Sequence, residues 1–345
     1  MIVSKNIPLI RLVRWTSWHM LCLTLWAFFS VSIYLYSGLT WLSIPWLPVS
    51  LIGTAVAFYV GFKNDAAYDR MWEARTIWGA IVNSSRSWGI SVKAFVSNQF
   101  RDEQAADHEI IAFHRKLIYR HIAWLYALRS QLLTVKEWEH AAQGGKTGRL
   151  AKHYRKRFGI GLIDDEITKE ELTQFLEKEE YERTIHYQNT ATQLVDSQSA
   201  DLQRLRELDL IDDFRHMTLQ RILMEFYEHQ GKCERIKNFP LPRQYANSSS
   251  VFVYIFLLLL PFGMVSEFAK FGDYGPWWSI PFIVLVGWVF IVMESIGDFS
   301  ENPFQGMAND IPMYSLCRTI EIDLLEMLDE SELPEAIQPK DGILM

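Results

Sequence analysis

Four long stretches without a charged side chain constrain this sequence more than any other feature. Residues 21–36 read LCLTLWAFFSVSIYLY and 44–62 read IPWLPVSLIGTAVAFYVGF; further on, 250–266 read SVFVYIFLLLLPFGMVS and 277–293 read WWSIPFIVLVGWVFIVM. Each approaches the roughly 20 residues that an α-helix needs to cross a bilayer. The alternative is a set of buried core helices in a soluble protein. Uncharged runs of this length with Trp and Tyr at their edges are instead a membrane pattern. The first run is not read as a cleaved signal peptide, because it has no small-residue cleavage site and a second run follows almost at once. The expected class is all-α, a polytopic membrane protein with four spans, at about 21–40, 44–62, 250–266 and 277–296.

Charge sets the orientation. Lys5, Arg11 and Arg14 precede the first span, the connection from Ser37 to Ser43 has no charge, and Lys63, Arg70 and Arg75 follow the second span. Between the last two spans stand only Glu267, Lys270 and Asp273. The positive-inside rule then puts both termini and the stretch 63–249 in the cytoplasm. The expected organisation is 1–62 with two spans, a cytoplasmic helical region 63–249, two spans within 250–297 and a cytoplasmic tail 298–345. A mean hydropathy near zero is thus an average of two opposite halves.

In the middle region Met71, Ala74, Trp78, Ile81, Ser85, Trp88, Val92 and Phe95 recur at alternating gaps of three and four, which predicts a long helix continuing out of the second span. Ile110, Phe113, Leu117, His121, Trp124 and Leu128 predict another. Leu219, Ile222, Leu223 and Phe226 predict a third that ends near Gly231. The basic segment 143–161, with Lys146, Arg149, Lys152, Arg155, Lys156 and Arg157, reads as a loop with a short helix and a solvated face.

The search for chemistry returns negatives. A net charge of −7, from 34 basic and 41 acidic residues, gives no basic footprint, so nucleic acid is not expected as a partner. Cys22, Cys233 and Cys317 cannot form a disulfide framework. No phosphate-binding glycine loop, HExxH, CxxC or EF-hand spacing occurs, so no enzyme, cofactor or metal site is expected. His114, His121, His216 and His229 read as packing or surface residues, and Ser248 to Ser250 as the start of the third span. No span carries an ionisable residue before its edge, at Lys63 and Glu294, which argues against a coupled transporter.

The second span mixes bulky and small side chains, and Leu47, Leu51 and Ala55 lie at i, i+4 and i+8. Around an axis of several copies they would form stacked apolar rings, a constriction of the kind that gates by dewetting. Taken alone, the same stripe also suits helix packing or lipid contact.

Three blocks then carry a resemblance. The stretch GFKNDAAYDRMWEARTIWGAIVNSSR (Gly61 to Arg86), CERIKNFPLPRQY (Cys233 to Tyr245) before the third span and ENPF (Glu301 to Phe304) after the fourth resemble the bacterial form of the bestrophin family. The resemblance implies a homopentameric ion channel in the bacterial inner membrane, with membrane lipid and permeant monovalent ions as its other partners. It implies an apolar neck at Leu47, Leu51 and Ala55, with Ala55 smaller than the usual residue there. It also implies a second, cytosolic constriction at Phe214, with Ile211 and Met217 as alternatives. Animal members open on calcium held by an acidic run after N-P-F; this chain reads NPFQGMANDIP, and one carboxylate, Asp310, is too few for calcium's six to eight oxygen ligands. Lys63, Asp65, Asp69 and Arg70 are the expected pore-mouth charges, two of each sign. Chloride is the family expectation; a monovalent-cation channel and a non-conducting scaffold or sensor are the alternatives.

Overall fold

The computed structural model describes residues 1–6, 8–37, 41, 43–100, 106–157 and 166–345, without the side chains of residues 146, 154, 157, 166 and 167. Its helices are α1 Leu9–Tyr36, α2 Trp46–Phe95, α3 Asp107–Leu132, α4 Gly145–Arg157, α5 Glu166–Phe175 and α6 Lys178–Ile185, followed by α7 Thr190–Glu207, α8 Asp213–Asn238, α9 Arg243–Phe268, α10 Gly275–Ser300 and α11 Met313–Met327. Among the described residues the only β pairing is isolated bridges from Ile343 to Ile2 and Lys340. The chain divides into two compact units.

The first unit, residues 4–70 and 240–302, contains α1, the first half of α2, α9 and α10. These four helices are long and apolar enough to cross a membrane. Each extends beyond its uncharged run, because a charged side chain ends an apolar window without ending a helix: α1 starts at Leu9 and carries Arg11 and Arg14 exposed, and α9 starts at Arg243. Small residues allow close approach. A methyl added at Gly287 would run into Leu23 and lie 3.0 Å from Leu257, so α1, α9 and α10 meet over that glycine. A methyl at Gly53 would lie 2.7 Å from the Phe256 ring.

The second unit, residues 1–3, 71–239 and 303–345, is built around α3. The spacing in the second half of α2 marks its buried face: Ala74, Trp78, Ile81, Ser85, Trp88 and Val92 are fully buried. Helix α3 goes further than a one-faced pattern, since every residue from Arg120 to Ser130 is buried. Helices α5, α7, α8 and α11 all pack on it. A charge inside such a helix needs partners. Arg120 has them: its Nε and Nη2 donate to the two Glu180 oxygens at 2.6 and 2.9 Å, and Nη1 donates to Asp201.

Two expectations are corrected here. Helix α8 does not end near Gly231 but runs on to Asn238, because Cys233, Ile236 and Lys237 beyond the glycine still have a buried face to fill. In the basic segment, Arg155 is not solvated: it is buried, donating to Gln305 O at 2.7 Å and Leu133 O at 2.6 Å. The side chains of Lys146 and Arg157, and residues 158–161, lie outside the described residues.

Candidate pore-lining site

One face of the first half of α2 is packed and the other is open. Val49, Gly53, Val56 and Val60 are buried within the first unit. Leu47 is 78% exposed and Leu51 71%, and Ala55 is exposed on the same side. At about 100° per residue the three fall within about 80° of arc. Phe58, 66% exposed, and Phe62, 63% exposed, fall in that arc too. Steps of four from Leu47 pass over Phe58; a step of three from Ala55 reaches it, as helical periodicity permits.

The four charges beyond the stripe separate by sign. Asp65 and Asp69 are exposed and continue the Leu47–Leu51 face. Lys63 points the other way: its side chain is 1% exposed and its Nζ lies 2.6 Å from Glu294 Oε1. Ser249 and Ser250 each donate to the same carboxylate at 2.5 Å, and Asn64 Nδ2 donates to Met293 O at 3.1 Å. Arg70 is half-buried, its Nε donating to Glu301 O at 3.0 Å. The serines read as a span start are therefore also ligands of a buried charge.

In the second unit, Phe214 and Met217 are 82% and 69% exposed on α8, whereas Ile211 is fully buried in the core and has no surface to offer. The start of α8 is fixed twice over. Asp212 caps it by accepting from Arg215 N at 2.8 Å. The Arg215 guanidinium donates to Phe95 O, Ser97 Oγ and Gln99 Oε1 and sits 4.7 Å from the Phe100 ring centroid. Arg215 thus anchors the first turn of α8, on which Phe214 stands, to the segment after α2.

The segment after α10 closes on itself. Asp310 accepts from the backbone N–H groups of Phe304, Gly306 and Ile311 at 3.0, 2.7 and 2.7 Å. The Phe304 and Gln305 carbonyls accept from Lys237 and Arg155, and Lys237 also pairs with buried Glu139. Burial pushes the Asp310 carboxyl up, opposed by its three backbone donors.

Comparison with known proteins adds the family. The sequence profile described as Bacterial/Fungal Bestrophin protein matches residues 12–326. The chain belongs to the bestrophin family. Among its relatives, it is 28% identical over 293 residues to the voltage-dependent anion channel-forming protein YneE of Escherichia coli strain K12, covering 85% of this chain and 80% of the relative. It is 28% identical over 301 residues to the voltage-dependent anion channel-forming protein RSc3414 of Ralstonia nicotianae, covering 86% and 82%. A crystal structure of a bacterial bestrophin homologue from Klebsiella pneumoniae shares the fold, with a TM-score of 0.71 at 22% identity over 91% of this chain and 99% of that one.

Proposed function

We propose that this bestrophin is a passive channel for small monovalent ions, with several copies placing the apolar stripe of α2 around one central pore. The observation that carries the reading is the open face from Leu47 to Phe62, which its own chain leaves uncovered while the opposite face is packed. Apolar rings hold back ions by dewetting without choosing their sign. The resemblance supplies five as the copy number and the bacterial inner membrane, and the positive-inside rule puts residues 63–249 and both termini on the cytoplasmic side. Phe214 is the best placed of the three candidates for a second constriction, with Met217 on the adjoining turn.

Anion conduction is the primary reading, supported by relatives named as anion channel-forming proteins. A monovalent-cation channel is the second, favoured by Asp65 and Asp69 standing on the stripe face while Lys63 and Arg70 turn away from it. Reversal potentials of the purified protein in planar bilayers under asymmetric sodium chloride separate the two by sign, and no current under any gradient would leave a scaffold. Calcium independence belongs to the same proposal: the Asp310 carboxylate already accepts from backbone N–H groups, and the Phe304 and Gln305 carbonyls from Lys237 and Arg155.

A further inference from the structure

Helix α11 is fastened to α3 by a buried group of charges that the channel reading does not use. Glu321 is fully buried, and Tyr126 of α3 donates to its Oε2 at 2.5 Å. Arg318, one turn earlier on α11, reaches Glu321 Oε1 at 3.3 Å and Glu171 Oε1 of α5 at 2.5 Å. Two carboxylates therefore share one guanidinium in a place where water cannot screen them. The Glu171 Oε2 atom is buried without a hydrogen-bond partner among the described residues.

The groups facing Glu321 come from three helices. Helix α3 presents Tyr126, and also Arg129, whose guanidinium lies 4.9 Å from the Tyr314 ring centroid. Helix α5 presents Glu171, with Glu170 beside it. Helix α11 presents Arg318, Tyr314 and Cys317, whose Sγ lies 3.6 Å from Leu125 O. Like charges that cannot both be solvated are resolved by a proton on one of them.

We propose that Glu321, with Glu171, Arg318 and Tyr126, is a proton-binding site at the junction of α3, α5 and α11. With Glu321 neutral, Arg318 has a single anionic partner in Glu171. With Glu321 ionised, the one guanidinium has to balance two buried carboxylates, one at Nη1 and one at Nη2. Arg318 and Glu171, whose side chains are 12% and 9% exposed, are the members of the group nearest solvent.

Burial raises the Glu321 carboxyl from its ordinary 4.5 to about 7; the Tyr126 hydrogen bond opposes this, Glu171 adds to it and Arg318 opposes it. The folded form thus holds a proton that the unfolded form has lost between those values, and linkage makes folding weaken as pH rises through the window.

The test is pH-difference infrared spectroscopy of the full-length protein in detergent, read at the C=O stretch of a buried protonated carboxyl. The expected band titrates near pH 7 and is lost in Glu321→Gln. In Glu171→Gln the band stays and its midpoint moves to lower pH, because a neighbouring negative charge is gone. A band absent at every pH above 5, or unchanged in Glu321→Gln, overturns the proposal. So does a band that disappears in Glu171→Gln, which puts the proton on the other carboxylate. Should Glu321→Gln fail to fold, the midpoint shift in Glu171→Gln still decides.

Discussion

Lys63 on α2 and Glu294 on α10 meet at 2.6 Å, 231 residues apart, with the lysine side chain almost wholly enclosed. Ser249 and Ser250 on α9 complete the carboxylate's hydrogen bonds, so three of the four long apolar helices converge on one charge pair. Removing one member of such a pair leaves the other buried and alone, at a cost of about 3–5 kcal/mol; replacing both with apolar residues is often neutral. Lys63→Met is therefore expected to lower the thermal midpoint in detergent sharply, and Lys63→Met with Glu294→Leu to recover most of the loss. A double variant no more stable than the worse single one would mean that the pair does not act as a unit.

Lys237 offers the same logic in the second unit, with a functional reading attached. Its ammonium lies among Glu139, the Phe304 carbonyl and the loop that ends at Asp310. Lys237→Met is expected to destabilise by about 3–5 kcal/mol because Glu139 loses its partner in a buried site. In the unmodified protein, millimolar calcium is expected to change neither the current nor the thermal midpoint. Calcium-dependent current from purified protein in bilayers would refute the reading.

His121 links pH to stability with a sign that can be worked out. It stacks on Trp124 with ring centroids 5.2 Å apart and lies 4.3 Å from Phe226. Ser85 spends its hydroxyl proton on Ile81 O, so His121 Nε2 donates to Ser85 Oγ at 2.9 Å. Burial pushes the imidazole from 6.5 down to about 3. The unfolded chain binds a proton that the folded one refuses, so stability is full above pH 6.5 and is lost as pH falls toward 3, at about 1.4 kcal/mol per pH unit. His121→Phe should flatten that acid limb in denaturation curves at pH 7 and pH 5. An unchanged slope would place the titration elsewhere.

How much of this was legible depended on whether the signal was local. The spans and the buried face of α2 from Ala74 to Val92 follow from runs and spacing within one helix, where each apolar residue reports its own environment. Burial of α3 on all sides was hidden, because Arg120 and Arg129 interrupt the apolar count and become intelligible only with their distant partners. Gly231 misled for a related reason: a glycine weakens a helix by about 1 kcal/mol, which the packing of α8 beyond it outweighs. In the candidate pore, Lys63 and Asp65 are two residues apart and look alike in sequence, and only the helix rotation separates the enclosed charge from the open one.

Asp65 and Asp69 should tune ion selectivity if the open face of α2 lines a pore. In a ring of several copies, two carboxylates per chain raise the local cation concentration. Asp65→Asn with Asp69→Asn is expected to shift the reversal potential toward chloride by several millivolts under a tenfold salt gradient, with the thermal midpoint unchanged because both side chains are exposed. An identical reversal potential would remove these residues from the pathway.

The last prediction concerns which ring is tightest. Ala55 leaves a gap in the stripe, and Phe58, one turn further and 66% exposed, presents a ring in the same arc. A dewetting barrier grows with the apolar bulk around the narrowest point, so the barrier should reside at Leu51 and Phe58 and hardly at all at Ala55. Leu51→Ala and Phe58→Ala are each expected to raise single-channel current several-fold, and Ala55→Leu to lower it. Size-exclusion profiles of all three should match the parent, since none of the three side chains packs inside the protomer. If Phe58→Ala left the current unchanged while Leu51→Ala raised it, the narrow region would end at Ala55. If neither changed it, the neck would lie on another face of α2.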